Sequence, residues 1–394
     1  MESPGSGGRL VMKGSCKVYI SILTLASLLC GCWDRKELND QVFDLAGGID
    51  LDEGKDKRYL ATAQLFIPSK KGEGQGSSKP SYFLETSSGR NIYESIEIMQ
   101  RYLSRSMTRG HRRNLFIGER LAKSGISEIL DSYTHDPDSR LRTDIWVVKD
   151  GTAMDIMKVN YPLEELPGMA PIKIHQATGG IVGSSLVEYL INSKGEGSSP
   201  TLPVMQKIFP PGLAKPMMMF YGRAIFNHDN QLVGYLDNEE AHNRDWILGL
   251  AKYVVLTTEL QGQSSGVVFQ PKRKIRITAL DSDKIRIEIA IKGHIVIKEN
   301  NTSLVLSNYS DLMKLQESFN QEISKQMIRL IDKVQNTFKL DVLGIGETLY
   351  RQHPNYWKQH KKDWDTIFVN SELVVRTNLE IKQLGQQNSS IQVK

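Results

Sequence analysis

The feature of the sequence that most constrains the fold is a long apolar stripe in the C-terminal quarter. Between residues 312 and 338, apolar side chains recur every three or four positions, which is the period of one helix face. The stripe consists of Leu312, Leu315, Phe319, Ile323, Met327, Leu330, Val334 and Phe338. At about 1.5 Å per residue, it predicts a helix that starts at Ser310 and Asp311 and carries an apolar face about 40 Å long. A face of that length needs a sheet to cover.

Strand-like segments on both sides of the stripe can supply this sheet. Strands are predicted at residues 253–260, 267–269, 274–279 and 284–298, and a returning strand at 368–384. A second helix is predicted at 341–350. Clustered strands followed by one long helix indicate an α+β layer and not a doubly wound nucleotide-binding fold.

The preceding part of the chain predicts a second mixed α+β unit. Segments 42–51 and 59–67 form a hairpin pattern, and an amphipathic helix with Ile92, Ile96, Met99 and Leu103 on one face follows Gly89. Further predicted elements of this unit are strands at 114–118 and 143–149, a helix at 121–133 broken at Gly125 and a short helix at 153–159. The C-terminal unit is predicted to begin with a hairpin at 219–226 and 232–236 and a helix capped by Asp237.

Clusters of Gly, Ser and Pro, which favour turns and loops, occur at residues 193–200 and 210–212, and they indicate the main boundary between the two units. The predicted division is a leader at 1–31, an N-terminal α+β domain at 32–210, which is one domain or two lobes, and a C-terminal α+β domain at 211–388. The class is therefore α+β with several domains, mixed and antiparallel sheets, packed helices and one long amphipathic helix on a C-terminal sheet.

The N-terminus predicts export and lipid attachment. Lys13 and Lys17 precede a twelve-residue apolar run at 18–29, which suits a signal peptide and is too short to span a membrane. The run ends in Leu29-Cys30-Gly31-Cys32, which resembles the lipobox of bacterial lipoproteins. The thiol of Cys32 would take the diacylglycerol, and its acyl chains would hold the mature chain stably on a membrane. An ordinary secretory signal with an incidental cysteine is the alternative, and either Met1 or Met12 is the start.

Composition excludes several other classes of protein. All three cysteines (Cys16, Cys30 and Cys32) lie in the first 32 residues, so the mature chain has no disulfide and no thiolate metal site. The formal net charge is +5, of which the leader contributes +2, and this is too weak to suggest nucleic-acid binding. Apolar residues make up 40% of the chain and charged residues 24%, as in folded globular proteins.

A basic cluster follows the first predicted helix and has two interpretations. Arg101, Arg105 and Arg109 recur every four residues, and His111, Arg112 and Arg113 come directly after them. We expect a solvated surface. Contact with anionic lipid or with an acidic partner is the alternative.

No pattern in the sequence indicates catalysis or a cofactor. The eight histidines never take a metal-ligand spacing, and His353 and His360, the nearest approach to one, lack a neighbouring acidic ligand. Gly183-Ser184-Ser185 lacks the second glycine of a nucleophile elbow, and the glycines at 72, 74 and 76 lack the lysine of a phosphate loop. Glu239 and Glu240 suit the first turn of a helix. We therefore expect no enzyme, no metal and no cofactor.

The segment that begins at Cys32 (Cys-Trp-Asp-Arg-Lys-Glu-Leu-Asn) and residues 111–125, 222–237, 339–346 and 356–357 form a series of motifs over essentially all of the mature chain. Together and in this order they resemble one family, the Ger(x)C lipoproteins, which are the C subunits of spore germinant receptors such as GerAC and GerBC. The Cys32 segment resembles the start of their mature chains, and the other segments resemble further family blocks. One departure is Thr134-His135-Asp136, where the family has Arg-Asp, and it puts any pairing by that arginine in doubt.

The resemblance implies a non-catalytic subunit on the outer face of the spore inner membrane. It implies assembly with a multi-spanning A subunit and a transporter-like B subunit, in a complex that responds to nutrients, and it carries over no ligand-binding residue. The sequence does not indicate which nutrient acts or whether this chain binds it.

Two functions of other classes stay open at this point. A lipid-anchored solute-binding receptor of a nutrient importer would need two α/β lobes around a cleft. An anchored cell-wall hydrolase would need a zinc constellation or a pair of carboxylates in a groove.

Overall fold

The structure is a computed structural model that describes Tyr19 and residues 37–52, 59–67, 82–178, 184–195, 197–260, 262–280 and 284–383. Of the leader, only Tyr19 is described. Cys32, Gly183 and the glycines at 72, 74 and 76 also lie outside the described residues. Within the described part of the chain, no helix combines the length and apolar character needed to cross a membrane.

A nine-stranded mixed sheet forms the first half of the protein. Its strands are β1 (Gln41–Leu51), β2 (Tyr59–Phe66), β3 (Tyr82–Gly89), β4 (Ser106–Thr108), β5 (Asn114–Gly118), β6 (Asp144–Lys149), β7 (Thr201–Ile208), β8 (Met217–Phe226) and β9 (Leu232–Asp237). The order is β3-β2-β1-β5-β6-β7-β8-β9, and β4 pairs with the start of β1. Strands β1, β5, β6 and β7 run parallel, and antiparallel strands flank them on both sides.

Both faces of this sheet are buried, which explains the continuous apolar runs at residues 115–117 of β5 and 145–148 of β6. Ile145 and Val147 point into one core, whereas Trp146 and Val148 point into the other. The covering helices are α1 (Ile92–Gln100), α2 (Glu119–Ser124), α3 (Ser127–His135), α4 (Ala153–Met157), α5 (Ala170–Ala177) and α6 (Leu186–Lys194). The hairpin at 42–51 and 59–67, the break at Gly125 and the helix that follows Gly89 are confirmed.

The second half is the predicted layer of one long helix on a sheet. The sheet has the order β10 (Tyr253–Glu259), β11 (Gln263–Leu280), β12 (Ile285–Asn300) and β13 (Glu372–Gln383). Helix α7 (Asn238–Leu248) connects the halves, and α8 (Tyr309–Asp332) is the predicted long helix, which continues as a π-helical turn to Phe338. The smaller helices are α9 (Ile345–Gln352), α10 (Pro354–His360) and α11 (Trp364–Asn370). The α+β class is confirmed.

Three predicted boundaries in this half were wrong. Segments 267–269 and 274–279 are one strand, β11, because its register with β12 shifts between Phe269 and Lys272 and the irregularity hides the continuity. The helix predicted from residue 341 begins at Ile345, since residues 341–344 form a turn around the Asp341 carboxylate. The strand predicted from residue 368 begins at Glu372, because α11 occupies the preceding residues.

The halves contact each other at the segment that precedes β7 and at the turn between β8 and β9. The backbone N–H of Ser199 donates to the Asp341 carbonyl at 2.6 Å, and His228 Nε2 lies 2.8 Å from an Asp365 carboxylate oxygen. Strands β8 and β9 follow the predicted division at residue 210 and extend the first sheet. The domain bounds of 32–210 and 211–388 stay a prediction.

Candidate membrane-facing site

The residues that lead into β1, from Glu37 onward, lie at an arginine-rich edge of the first sheet. Gln41 of β1 pairs in parallel with Ser106 of β4, Ala46 with Asn114 of β5, and Asn114 with Asp144 of β6. The loops that precede these strands therefore gather at the edge where β1 begins. We call this edge the entry edge; it comprises residues 37–40, 101–105, 109–113 and 136–143. Its arginines are Arg101, Arg105, Arg109, Arg112, Arg113, Arg140 and Arg142.

Arg112 is not a surface residue. Its side chain is buried and bonds to the buried carboxylate of Asp44. Its Nε donates to Asp44 Oδ2 at 3.0 Å, and its terminal nitrogens bond to Asp44 and to the Tyr133 hydroxyl. Asp44 is fully buried and Arg112 nearly so. A side chain at Gly47 would lie 2.9 Å from the guanidinium carbon, so a glycine there leaves room for the arginine.

Electrostatics in this pair follow from burial. Loss of water raises the pKa of Asp44 above its ordinary value, and the charge and hydrogen bonds of Arg112 work in the opposite direction. A buried, ionised carboxylate destabilises the fold unless a cation pairs with it. The triad of Asp44, Arg112 and Tyr133 therefore fixes the β4–β5 loop against β1 and α3.

Arg109 is also paired. Its guanidinium bonds to Asp136 and lies 3.8 Å from Asp138. The interpretation of the whole basic cluster as a solvated surface was thus wrong for Arg109 and Arg112, because parallel strand pairing brings acidic residues distant in sequence beside them. Asp136, in the segment that departs from the family pattern, is one of these partners.

Three further arginines of the entry edge are exposed, and the same edge carries exposed apolar side chains. Arg101, Arg113 and Arg142 are exposed, and so are Leu38 and Tyr102, at 58% and 62%. The exposed acidic residues of this edge are Glu37, Asp40 and Asp138. Cations next to exposed aromatic and aliphatic groups are typical of surfaces that rest on anionic headgroups.

The predicted lipid-attachment residue lies a short way before this edge in sequence. Cys32 is outside the described residues, and Glu37, the first residue described before β1, lies five positions after it. Five extended residues reach at most about 18 Å. A lipid on Cys32 would therefore hold Glu37, at the start of the entry edge, within about 18 Å of its attachment point.

Other residues singled out in the sequence have structural roles in the described part of the chain. Glu240 closes a capping box with Asp237 on α7, and Ser185 does the same with Glu188 on α6. The ring of His360 stacks on Tyr356 with centroids 4.0 Å apart. Among the described residues, no three potential metal ligands cluster.

Sequence reasoning missed the buried acids, although the strands carried a signal for them. Asp44 and Asp50 both interrupt the apolar segment 41–51. Asp50 accepts the N–H groups of Ala153 and Met154 at the start of α4, and burial raises its pKa to about 6. A carboxylate in an apolar strand predicts a buried partner, but its identity depends on the topology.

Comparison with known proteins decides the family. Residues 34–207 match the model of the spore germination protein N-terminal domain. Residues 221–385 match that of the "Spore germination B3/ GerAC like, C-terminal" domain. The chain belongs to the GerAC-type family of spore germination proteins. The predicted resemblance is thereby confirmed.

Relatives of this family match over nearly the full length. A putative spore germination protein, YfkR, of Bacillus subtilis (strain 168) is 28% identical over 95% of this chain and 98% of its own. Spore germination protein B3 of the same organism is 25% identical over 95% of this chain and 99% of its own. The crystal structure of the GerBC protein aligns with a TM-score of 0.56 at 21% identity, over 86% of this chain and 98% of that one, and shows that the fold is shared.

Proposed function

We propose that this protein is the lipid-anchored C subunit of a spore germinant receptor. In this proposal Cys32 carries the lipid, the chain lies on the outer face of the spore inner membrane, and it acts without catalysis by assembling with membrane A and B subunits that respond to nutrients. The family match over both halves supports the receptor class, and the Leu29-Cys30-Gly31-Cys32 segment supports the anchor.

The entry edge is the observation that carries the membrane part of the proposal. The entry edge has exposed arginines and exposed Leu38 and Tyr102. Its first residue, Glu37, lies within about 18 Å of residue 32 along the chain. A tether of that length raises the effective concentration of the edge at the bilayer, so each exposed cation needs to contribute only about 1 kcal/mol or less. The same tether would keep the domains beside membrane-embedded partners.

The rival importer receptor receives no support from the fold. It would need two α/β lobes with a cleft between them, whereas the second half here is a four-stranded sheet covered by one long helix.

The direct test is to replace Cys32 by alanine in spores. Cys32→Ala should abolish acylation, seen as loss of the diacylglycerol mass on the N-terminal peptide. It should also release the chain from the inner membrane and reduce nutrient-triggered germination. Affinity isolation of the tagged wild-type chain from spore membranes should recover the A and B subunits, and the variant should recover much less of them.

Cys16→Ala is the matched control, since it also removes one thiol near the N-terminus but leaves the lipobox-like segment intact. It should behave as wild type in acylation, fractionation and germination. An unacylated residue 32 in the wild type, or full germination by Cys32→Ala, would show that the anchor proposal is incorrect.

A further inference from the structure

A groove on the open face of the second sheet is independent of the entry edge. Helix α8 buries one face of this sheet through Phe319, Ile323 and Met327. Along the opposite face, alternate side chains of β11, β12 and β13 point to solvent. Between them lies a groove of about 730 Å³, a volume within the range of small-molecule sites.

The groove is concave because its centre carries a small side chain. Ala290 of β12 is paired with Lys274 of β11 on one side and with Arg376 of β13 on the other. Since neighbouring strands are about 4.8 Å apart, the Cα atoms of Lys274 and Arg376 lie about 10 Å from each other across the alanine. Their long side chains form the rim, and Ala290 forms the floor.

The neighbouring rows add further cations. In one row Lys272 pairs with Lys292, and in the other Arg276 pairs with Glu288. Glu288 is the acidic residue of the groove lining, and its carboxylate lies 3.0 Å from Arg376 Nε. The lining therefore has a large excess of positive charge, held on rigid strands.

We propose that this groove binds a soluble, multiply charged phosphate compound. Phosphate groups concentrate negative charge in a compact tetrahedron, which can accept from two lysines and from a guanidinium fork at once. The sunken floor fits a discrete molecule, whereas a flat layer of lipid headgroups would touch only the rim. The site does not depend on the anchor at Cys32.

Calorimetric titration of the full acylated chain in detergent with inorganic tripolyphosphate tests this directly. The wild type should bind saturably with one site. The exposed triple variant Lys272→Ala, Lys274→Ala, Arg376→Ala should raise the Kd by about tenfold or more, as expected for the loss of three partly solvated charge contacts. Ala290→Leu keeps every charge but fills the floor, and it should weaken binding by a similar factor.

A second triple variant controls for net charge. Lys314→Ala, Lys325→Ala, Lys358→Ala removes the same charge from exposed positions on α8 and α10, and the Kd should stay within about twofold of wild type because screened charges act weakly at a distance. Equal weakening by both triple variants, or unchanged binding by Ala290→Leu, would mean diffuse attraction and no groove site. Absence of binding would overturn the proposal. So would tighter binding of hexaglutamate or of phosphatidylglycerol vesicles than of tripolyphosphate.

Discussion

Removal of the Arg112 guanidinium should destabilise the first sheet severely. Arg112→Met keeps an unbranched apolar stem, but it removes the bonds to Asp44 and to the Tyr133 hydroxyl. Asp44, which is fully buried, would then be a carboxylate without a cation. Loss of one partner of a buried ion pair costs about 3–5 kcal/mol in free energy of unfolding, and we expect a loss in this range at neutral pH.

The loss should depend on pH in a definite direction. Burial already raises the pKa of Asp44 against the opposing effect of Arg112, so removal of the arginine raises it further. The folded variant then binds a proton more tightly than the unfolded chain, whose carboxyl has an ordinary pKa. Its stability should therefore increase as the pH falls from neutral toward the ordinary value for aspartate, and the gap to wild type should narrow.

Urea unfolding followed by far-UV circular dichroism, with hydrogen exchange of the β1 segment, measures this effect. Arg113→Met is the matched control, because it removes the same charge from the next residue, which is exposed, and should cost about 0.5 kcal/mol or less. The double variant Asp44→Asn, Arg112→Met should recover part of the loss, because neither charge remains. If Arg112→Met costs no more than Arg113→Met, the reasoning from the buried pair is refuted.

Two further outcomes are expected in the second half. Burial raises the pKa of Asp341 to about 6 from 3.8, although backbone N–H groups lower it. Relative to Asp341→Asn, the free energy of unfolding of wild type should therefore fall by up to about 3 kcal/mol as the pH rises from about 4 to about 6. If the urea midpoints of wild type and Asp341→Asn changed in parallel across this pH range, the prediction would be contradicted. At the β13 edge, Gln316 and Asn320 of α8 accept from the N–H groups of Ile381 and Leu379 at 2.9 and 2.8 Å. Their joint replacement by alanine should leave the edge unpaired and cause concentration-dependent association in light scattering; a monodisperse variant at all concentrations would argue against this protection.

Local patterns were sufficient for much of the fold. The stripe that begins at Leu312 predicted α8 because helix periodicity and burial coincide along it, and Leu315, Phe319 and Ile323 are fully buried. The capping residue Asp237 fixed the start of α7 in the same way, since its carboxylate meets a backbone N–H three residues on. The error at residue 341 arose because the Asp341 carboxylate accepts the N–H groups of Leu343, Ile345 and Gly346, and the resulting turn delays the start of α9.

The candidate sites also differ in whether they depend on residues close together in sequence or on contacts between distant ones. The sequence alone determined that the thiols are confined to the leader and its boundary, that Cys32 stands in a lipobox-like segment, and that a long helix needs a sheet, because these depend on residues close together along the chain. Only the tertiary structure decided that Arg112 is buried against Asp44 while Arg113 is exposed, and that Lys274 and Arg376 flank Ala290. Strand pairing sets these neighbours, and it joins residues separated by 68 positions for Arg112 and Asp44, a distance at which no local period carries information.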